Sequence, residues 1–325
     1  MLSVNLLNSI HSQCILLLSN LRAGEESKFL SVWGQYTFQI VLIGTIFLGI
    51  AASLLGTFNV LKGQALIGDA VGHSTYPGII LAYMIFLSRS PLLLSLGASI
   101  AGLLAYYVVH LIGEKSRLSS DTAMAIVLSS FFAFGSVLNA HISSSERYKN
   151  SAQAGLKNYI FGQAADMMKI DVIVIIVSSC LCILFVLVCY KELKLTVFDP
   201  VFTRSIGFKP QVFNYLILIF TLILIAQGLK TVGIILISSL FIAPCIAAQQ
   251  WTCKISRVLL LSAVFAIVSA LIGVWVSSAV NRVSTGPSIV ICLSLIVFVS
   301  SIFGSRSSIF TLLKQRCYRK EGNGK

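Results

Sequence analysis

The stretch Leu66-Ile67-Gly68-Asp69-Ala70-Val71-Gly72-His73-Ser74-Thr75-Tyr76-Pro77-Gly78 decides how this chain is read. It lies in an apolar segment, yet it carries a carboxylate and an imidazole four residues apart. On a helix both side chains fall on one face, one turn apart. An ionisable group inside a bilayer is costly unless it meets a partner, an ion or a water-filled path. Carboxylate plus imidazole is also the ligand mix that suits manganese, zinc or ferrous iron. Asp69 and His73 are therefore candidate metal ligands in a pathway. The alternative is that they bond each other, or nearby Ser and Thr, and only hold helices together. Pro77 removes the backbone hydrogen bond to residue 73 and invites a kink beside the pair.

The rest of the chain supplies the membrane. Of 325 residues, 57% are hydrophobic and 11% are charged, against about 25% charged in a soluble domain. Mean hydropathy is +0.92. That length holds roughly eight to ten spans of about 20 residues with short loops, and no large soluble domain beside them. The hydropathy pattern places spans near 36–58, 65–87, 91–113, 120–141, 171–190, 212–229, 231–251, 256–280 and 285–304, the seventh and sixth separated by a short Lys230-Thr231 break. The expected fold is all-α: a polytopic membrane bundle of about 8–9 transmembrane helices over 36–304, with a cytoplasmic coupling helix. Residues 1–35 form an N-terminal extension, read as interfacial, and 305–325 a basic cytoplasmic tail.

Net charge is +13. The Lys and Arg residues lie between and beyond the apolar segments, and no basic helix is interleaved with aromatics, so nucleic-acid binding is excluded. Alternation puts 15 of the 24 basic residues, among them Lys62, Lys115, Lys191, Lys209 and Lys254, on one side of the membrane. The positive-inside rule makes that side cytoplasmic. The eight cysteines form no framework: Cys180, Cys182, Cys189, Cys245 and Cys292 fall in apolar segments, where Cys acts as a small hydrophobe.

Two connections are too long for simple turns. Residues 142–170 contain Tyr159-Ile160-Phe161-Gly162-Gln163-Ala164, an apolar piece too short to span and placed to re-enter from outside. Residues 191–211 contain Phe198-Asp199-Pro200 and Arg204-Ser205-Ile206-Gly207. Asp as N-cap, Pro at the first position and Gly as the stop predict a short cytoplasmic helix that a soluble partner can grip. Asp121 with Thr122 is expected to cap the fourth span. Gly97/Ala101 and Ala98/Gly102 are small-residue pairs suited to close helix approach, within one subunit or across a dimer face. Pro244 is expected to kink its span and frame the pathway. The chain has no phosphate-binding loop, no H-E-x-x-H and no G-x-S-x-G elbow, so nothing in it points to nucleotide hydrolysis or other enzyme chemistry.

These residues resemble the permease subunits of bacterial manganese, zinc and iron ABC importers. The resemblance rests on Gly56-Thr57-Phe58-Asn59-Val60-Leu61-Lys62, on Leu66 through His73 with Pro77-Gly78, and on Tyr159-Ile160-Phe161-Gly162. It continues through Phe198-Asp199 with Ser205 and Gly207, Val232 through Leu240 with Pro244 and Ala247, and Thr285-Gly286-Pro287-Ser288-Ile289-Val290. It departs at Gly72, where many members have Ser, and at Ser205, where many have Ala; Gly72 is expected to loosen the helix locally.

The resemblance implies a permease of the cytoplasmic (inner) membrane that moves a manganese, zinc or iron ion, with no tightly bound cofactor. It implies Asp69 and His73 as pathway ligands and Phe198, Asp199, Pro200, Arg204, Ser205 and Gly207 as the contact to separate cytoplasmic ATPases. Its other implied partners are an extracytoplasmic metal-binding protein, a second permease copy or paralogue, and membrane lipid. A different class of reading makes the chain a proton-coupled secondary metal transporter, with Asp69 and His73 as a proton relay.

Overall fold

The structure is a computed structural model that describes residues 36–87, 90–145, 169–279 and 284–304. The expectations for residues 1–35, Tyr159–Ala164 and 305–325 fall outside the described residues. Among those described there are eleven helices and no strand. In chain order they are α1 (Tyr36–Leu61), α2 (Ile67–Phe86), α3 (Pro91–Lys115), α4 (Ser120–Ser144), α5 (Lys169–Val188), α6 (Tyr190–Phe198), α7 (Pro200–Ser205), α8 (Pro210–Thr231), α9 (Ile234–Gln249), α10 (Ile255–Ala279) and α11 (Thr285–Phe303).

The nine longer helices coincide with the nine expected spans to within a few residues. Seven are long and apolar enough to cross a membrane on their own. The two others are α2, diluted by its run from Asp69 to Thr75, and α9, which has only 16 residues. The protein is a multi-pass helical membrane protein.

α1 is the centre of the bundle. Leu48, Ala51, Ala52, Leu55 and Phe58 have no exposed surface, and α5, α9 and α10 pack around them. The approach of α9 requires Gly56, because any Cβ there would overlap the carbonyl of Phe241. On the other flank, Gly78 and Ala82 of α2 face Gly97 and Ala101 of α3, and a Cβ on either glycine would meet the partner helix's backbone. The Gly97/Ala101 pair therefore serves packing within the chain.

The connections sort to two ends. One end carries the α1–α2 turn, the α3–α4 connection, α6 and α7, and residues 250–254, where Gln250 meets Gly304. This is the end rich in Lys and Arg, called here the basic end. The opposite end carries the α8–α9 turn, where Val232 abuts Gly286 at the start of α11.

Three local details differ from the sequence reading. The cap of α4 is Ser119, whose Oγ accepts from the Thr122 amide at 3.2 Å; Asp121 sits inside the first turn, where the helix dipole favours an acid. The break between α8 and α9 falls at Val232-Gly233, not Lys230-Thr231, since Gly233 alone there takes a positive φ of 86°. The basic-end connection holds two short helices rather than one. Asp199 caps the second, accepting from the Phe202 amide at 2.8 Å, with Pro200 at its first position. Gly207, at φ 95°, closes it: the Gly207 amide donates to the Arg204 carbonyl and the Phe208 amide to the Thr203 carbonyl, a Schellman stop.

Candidate functional site

Asp69 lies in the first turn of α2, where the positive end of the helix dipole favours a carboxylate. One turn further, His73 Nε2 lies 3.3 Å from Asp69 Oδ1, and the side chains are 23% and 31% exposed for His73 and Asp69. The Phe132 ring of α4 stands edge-on to the imidazole, 5.1 Å between centroids. His73 is thus held between a carboxylate and an aromatic ring. Its Nδ1 is buried and has no hydrogen-bond partner among the described residues.

The neighbouring hydroxyls do not join the pair. Ser74 Oγ donates to the Ala70 carbonyl and Thr75 Oγ1 to the Gly72 carbonyl, each at 2.6 Å within α2. Of the two structural roles open to Asp69 and His73, bonding to adjacent Ser and Thr is therefore not realised here. Gly72 does not loosen α2, which runs unbroken from Ile67 to Phe86. A Cβ there would stand 3.4 Å from Ile234 Cγ2, an ordinary contact. Pro77 is buried inside α2, with Gly135 of α4 closely packed against its ring.

Asp69 opens onto a groove of about 510 Å³ between α2, α9 and α11. Ser238 and Ser239 of α9 and Ser294 and Ser301 of α11 line it, among Ile, Leu and Val side chains. Ser238 and Ser239 donate to the Ile235 carbonyl and Ser294 to the Ile291 carbonyl, so their oxygens keep lone pairs to offer. The sequence reading gave these serines no role. Their signal was a spacing: Ser294 and Ser301 are two turns apart, and Ser238-Ser239 breaks an otherwise apolar span. Pro244 is buried in α9, while its neighbour Ala243 reaches the groove wall.

Among the described residues no group of three or more His, Cys, Asp and Glu is gathered. Of the pair, only Asp69 shares the groove with these serines; His73, one turn further on, is not part of its lining.

At the basic end, α6 and α7 present an apolar surface. Phe198 is 60% exposed, Val201 76% and Phe202 51%. Arg204, Ser205 and Gly207 are exposed beside them. An exposed apolar patch of this kind marks a contact with another protein or with the membrane.

Comparison with known proteins agrees with this architecture. The sequence pattern of the ABC 3 transport family matches residues 35–304. The zinc transport system membrane protein TroC of Treponema pallidum (strain Nichols) is 39% identical over 285 residues, covering 88% of this chain and 95% of that protein. The manganese transport system membrane protein MntC of Bacillus subtilis (strain 168) is 35% identical over 277 residues, 84% of this chain and 63% of that one. Among solved structures, PsaBC from Streptococcus pneumoniae in complex with Fab superimposes with a TM-score of 0.73 at 26% identity, covering 88% of this chain and 99% of the matched chain. On sequence and on fold, the chain belongs to the ABC 3 transport family, as a membrane-embedded transport subunit and not itself an enzyme.

Proposed function

We propose that this chain is the permease subunit of an ATP-driven importer for a divalent transition-metal ion, manganese, zinc or iron. The observation that carries the reading is the Asp69/His73 pair, 3.3 Å apart on one face of α2, with Asp69 opening onto the groove. Similarity to zinc and manganese transport proteins supports the substrate class. Two ligands per copy favour a site completed by a second copy or a paralogue, since a two-fold axis would add another Asp and His. An ion held by ligands from two subunits is released when those subunits part, which suits transport better than storage.

Within this reading the basic end faces the cytoplasm, and the surface from Phe198 to Gly207 docks on a separate ATPase. An extracytoplasmic metal-binding protein delivers the ion to the opposite end. ATP-driven movement of the docked α6–α7 segment opens the groove alternately to each side. Membership in an ABC transport family favours ATP over a proton gradient as the driving force.

The test is uptake of each metal, supplied in turn, in cells lacking the chain and complemented with it. Restoration of manganese, zinc or iron uptake that persists after collapse of the proton gradient is expected. Uptake that vanishes with the gradient would instead favour the proton-coupled reading.

A further inference from the structure

A second polar site lies away from the groove, at the basic end. A half-open cavity of about 210 Å³ is lined by Lys62 just past the end of α1, Gln64 in the turn into α2, Tyr106 of α3, Thr196 of α6, and Pro200 and Asn214 at the starts of α7 and α8. Lys62 Nζ donates to Asn214 Oδ1 at 2.6 Å, joining positions 152 residues apart. No carboxylate is paired with Lys62 among the described residues. Burial holds its amine well below the usual lysine range, at about 8. Thr196 is 5% exposed, and its Oγ1 has no hydrogen-bond partner among the described residues.

The position gives these facts a meaning. The turn holding Lys62 leads straight into the first turn of α2, which carries Asp69. Pro200 opens the helix proposed to meet the ATPase. Close-packed interiors do not deform, so relative movement needs a void and a bond that can change partner. The cavity is the void. The Lys62 amine is the bond, and Thr196 Oγ1 is a second acceptor in the lining of the same cavity.

We infer that Lys62 is a positioning residue that transmits movement of the α6–α7 segment to the Asp69 helix, through a hydrogen bond exchanged between Asn214 and the wall of this cavity. The inference rests on the importer reading above. Tyr106 is the other titratable side chain in the cavity lining; Glu192, one turn before Thr196 on α6, lies outside that lining, its Oε2 buried and unpartnered among the described residues. Neither pairs with the amine, so Lys62's own protonation sets the strength of the link. It is strongest below about pH 8 and weakens as pH rises through that value.

The experiment uses the whole transporter, permease with its ATPases, in liposomes, and reads metal moved per ATP hydrolysed. Lys62→Met is expected to keep ATPase binding and ATP hydrolysis while that ratio falls about tenfold, the scale of one charge-assisted hydrogen bond. Lys62→Arg is expected to restore the ratio and to hold it flat above pH 8, where the native ratio declines, because guanidinium does not titrate there. An unchanged ratio in Lys62→Met, or a native ratio independent of pH between 7 and 9, overturns the inference. If Lys62→Met does not insert, Asn214→Leu removes only the acceptor and carries the same test. Normal uptake in Asp69→Ala would defeat the importer reading itself, an outcome separate from any result at Lys62.

Discussion

Along α2, the half from Ile67 to Thr75 meets side chains of α9, Phe241 and Ile234, whereas the half from Tyr76 to Phe86 meets α3 backbone to backbone. In the first half, a Cβ on Gly72 would touch only Ile234 Cγ2, and Asp69 is 31% exposed to the groove. In the second half, Ile80 and Tyr83 are buried and Gly78 has no room for a side chain. One helix thus has a half fastened to its neighbour's backbone and an open half, open only at Asp69 and His73 and otherwise buried, with Asp69 beside the groove. On the importer reading, the fastened half fixes where Asp69 and His73 stand, and the open half lets an ion reach Asp69. A site for a transported ion needs both, because a fully packed pair would bind nothing and an unsupported pair would not hold its spacing.

The contrast can be broken at its chemical end first. Asp69→Ala or His73→Ala should reduce metal uptake to background while membrane insertion and detergent-solubilised elution stay native. Normal uptake in both variants would show that the open half is not the pathway. The next largest effect should come from the fastened half. Gly78→Leu forces side-chain volume against the Gly97 carbonyl, and overpacking of this kind costs about 1–3 kcal/mol or more. Loss of folded protein is expected, seen as a fall in thermal midpoint or in yield, and a native midpoint would mean the two helices can part freely.

A third effect lies outside α2 and tests whether its open half is driven from the basic end. Replacing Phe198 and Gly207 together, by Ala and Val, should leave ATP hydrolysis running without uptake, since Gly207 sits at a φ of 95° that Val does not tolerate. Unaltered coupling would separate α7 from the groove. The smallest effect is expected at Gly72→Ser. The open half has space for a hydroxymethyl group, so uptake should stay within about twofold of native, an effect under 0.5 kcal/mol. A severe loss there would mean the open half is tighter than its contacts indicate.

The helices were legible in the sequence because their signals are local. Hydropathy set the nine long segments, and Asp199, Pro200 and Gly207 marked the ends of α7. The second short helix, α6, was not expected, since Tyr190–Phe198 continues from α5 with only Cys189 between. The Asp69/His73 spacing was legible for the same reason, as four residues on one helix. What was not legible depended on partners far away in the chain. Nothing near Lys62 announces Asn214, and nothing near Asp69 announces Ser294 or Ser301. The cap of α4 was misplaced by two residues because Ser119 and Asp121 are both good caps, and only backbone geometry chooses between them. The small pair Gly97/Ala101 was recognised, but its opposite number, Gly78/Ala82, could be named only once the helices were side by side.

The brevity of α9 has a consequence for how its end must be covered. Sixteen residues rise about 24 Å, short of a hydrocarbon layer about 30 Å thick. Its junction with α8, from Thr231 to Ile234, is buried, with Val232 against Gly286 at the start of α11, so the backbone there is covered by protein. Non-helical backbone at membrane depth is tolerated only under such cover, so the short helix leaves this junction shielded from hydrocarbon.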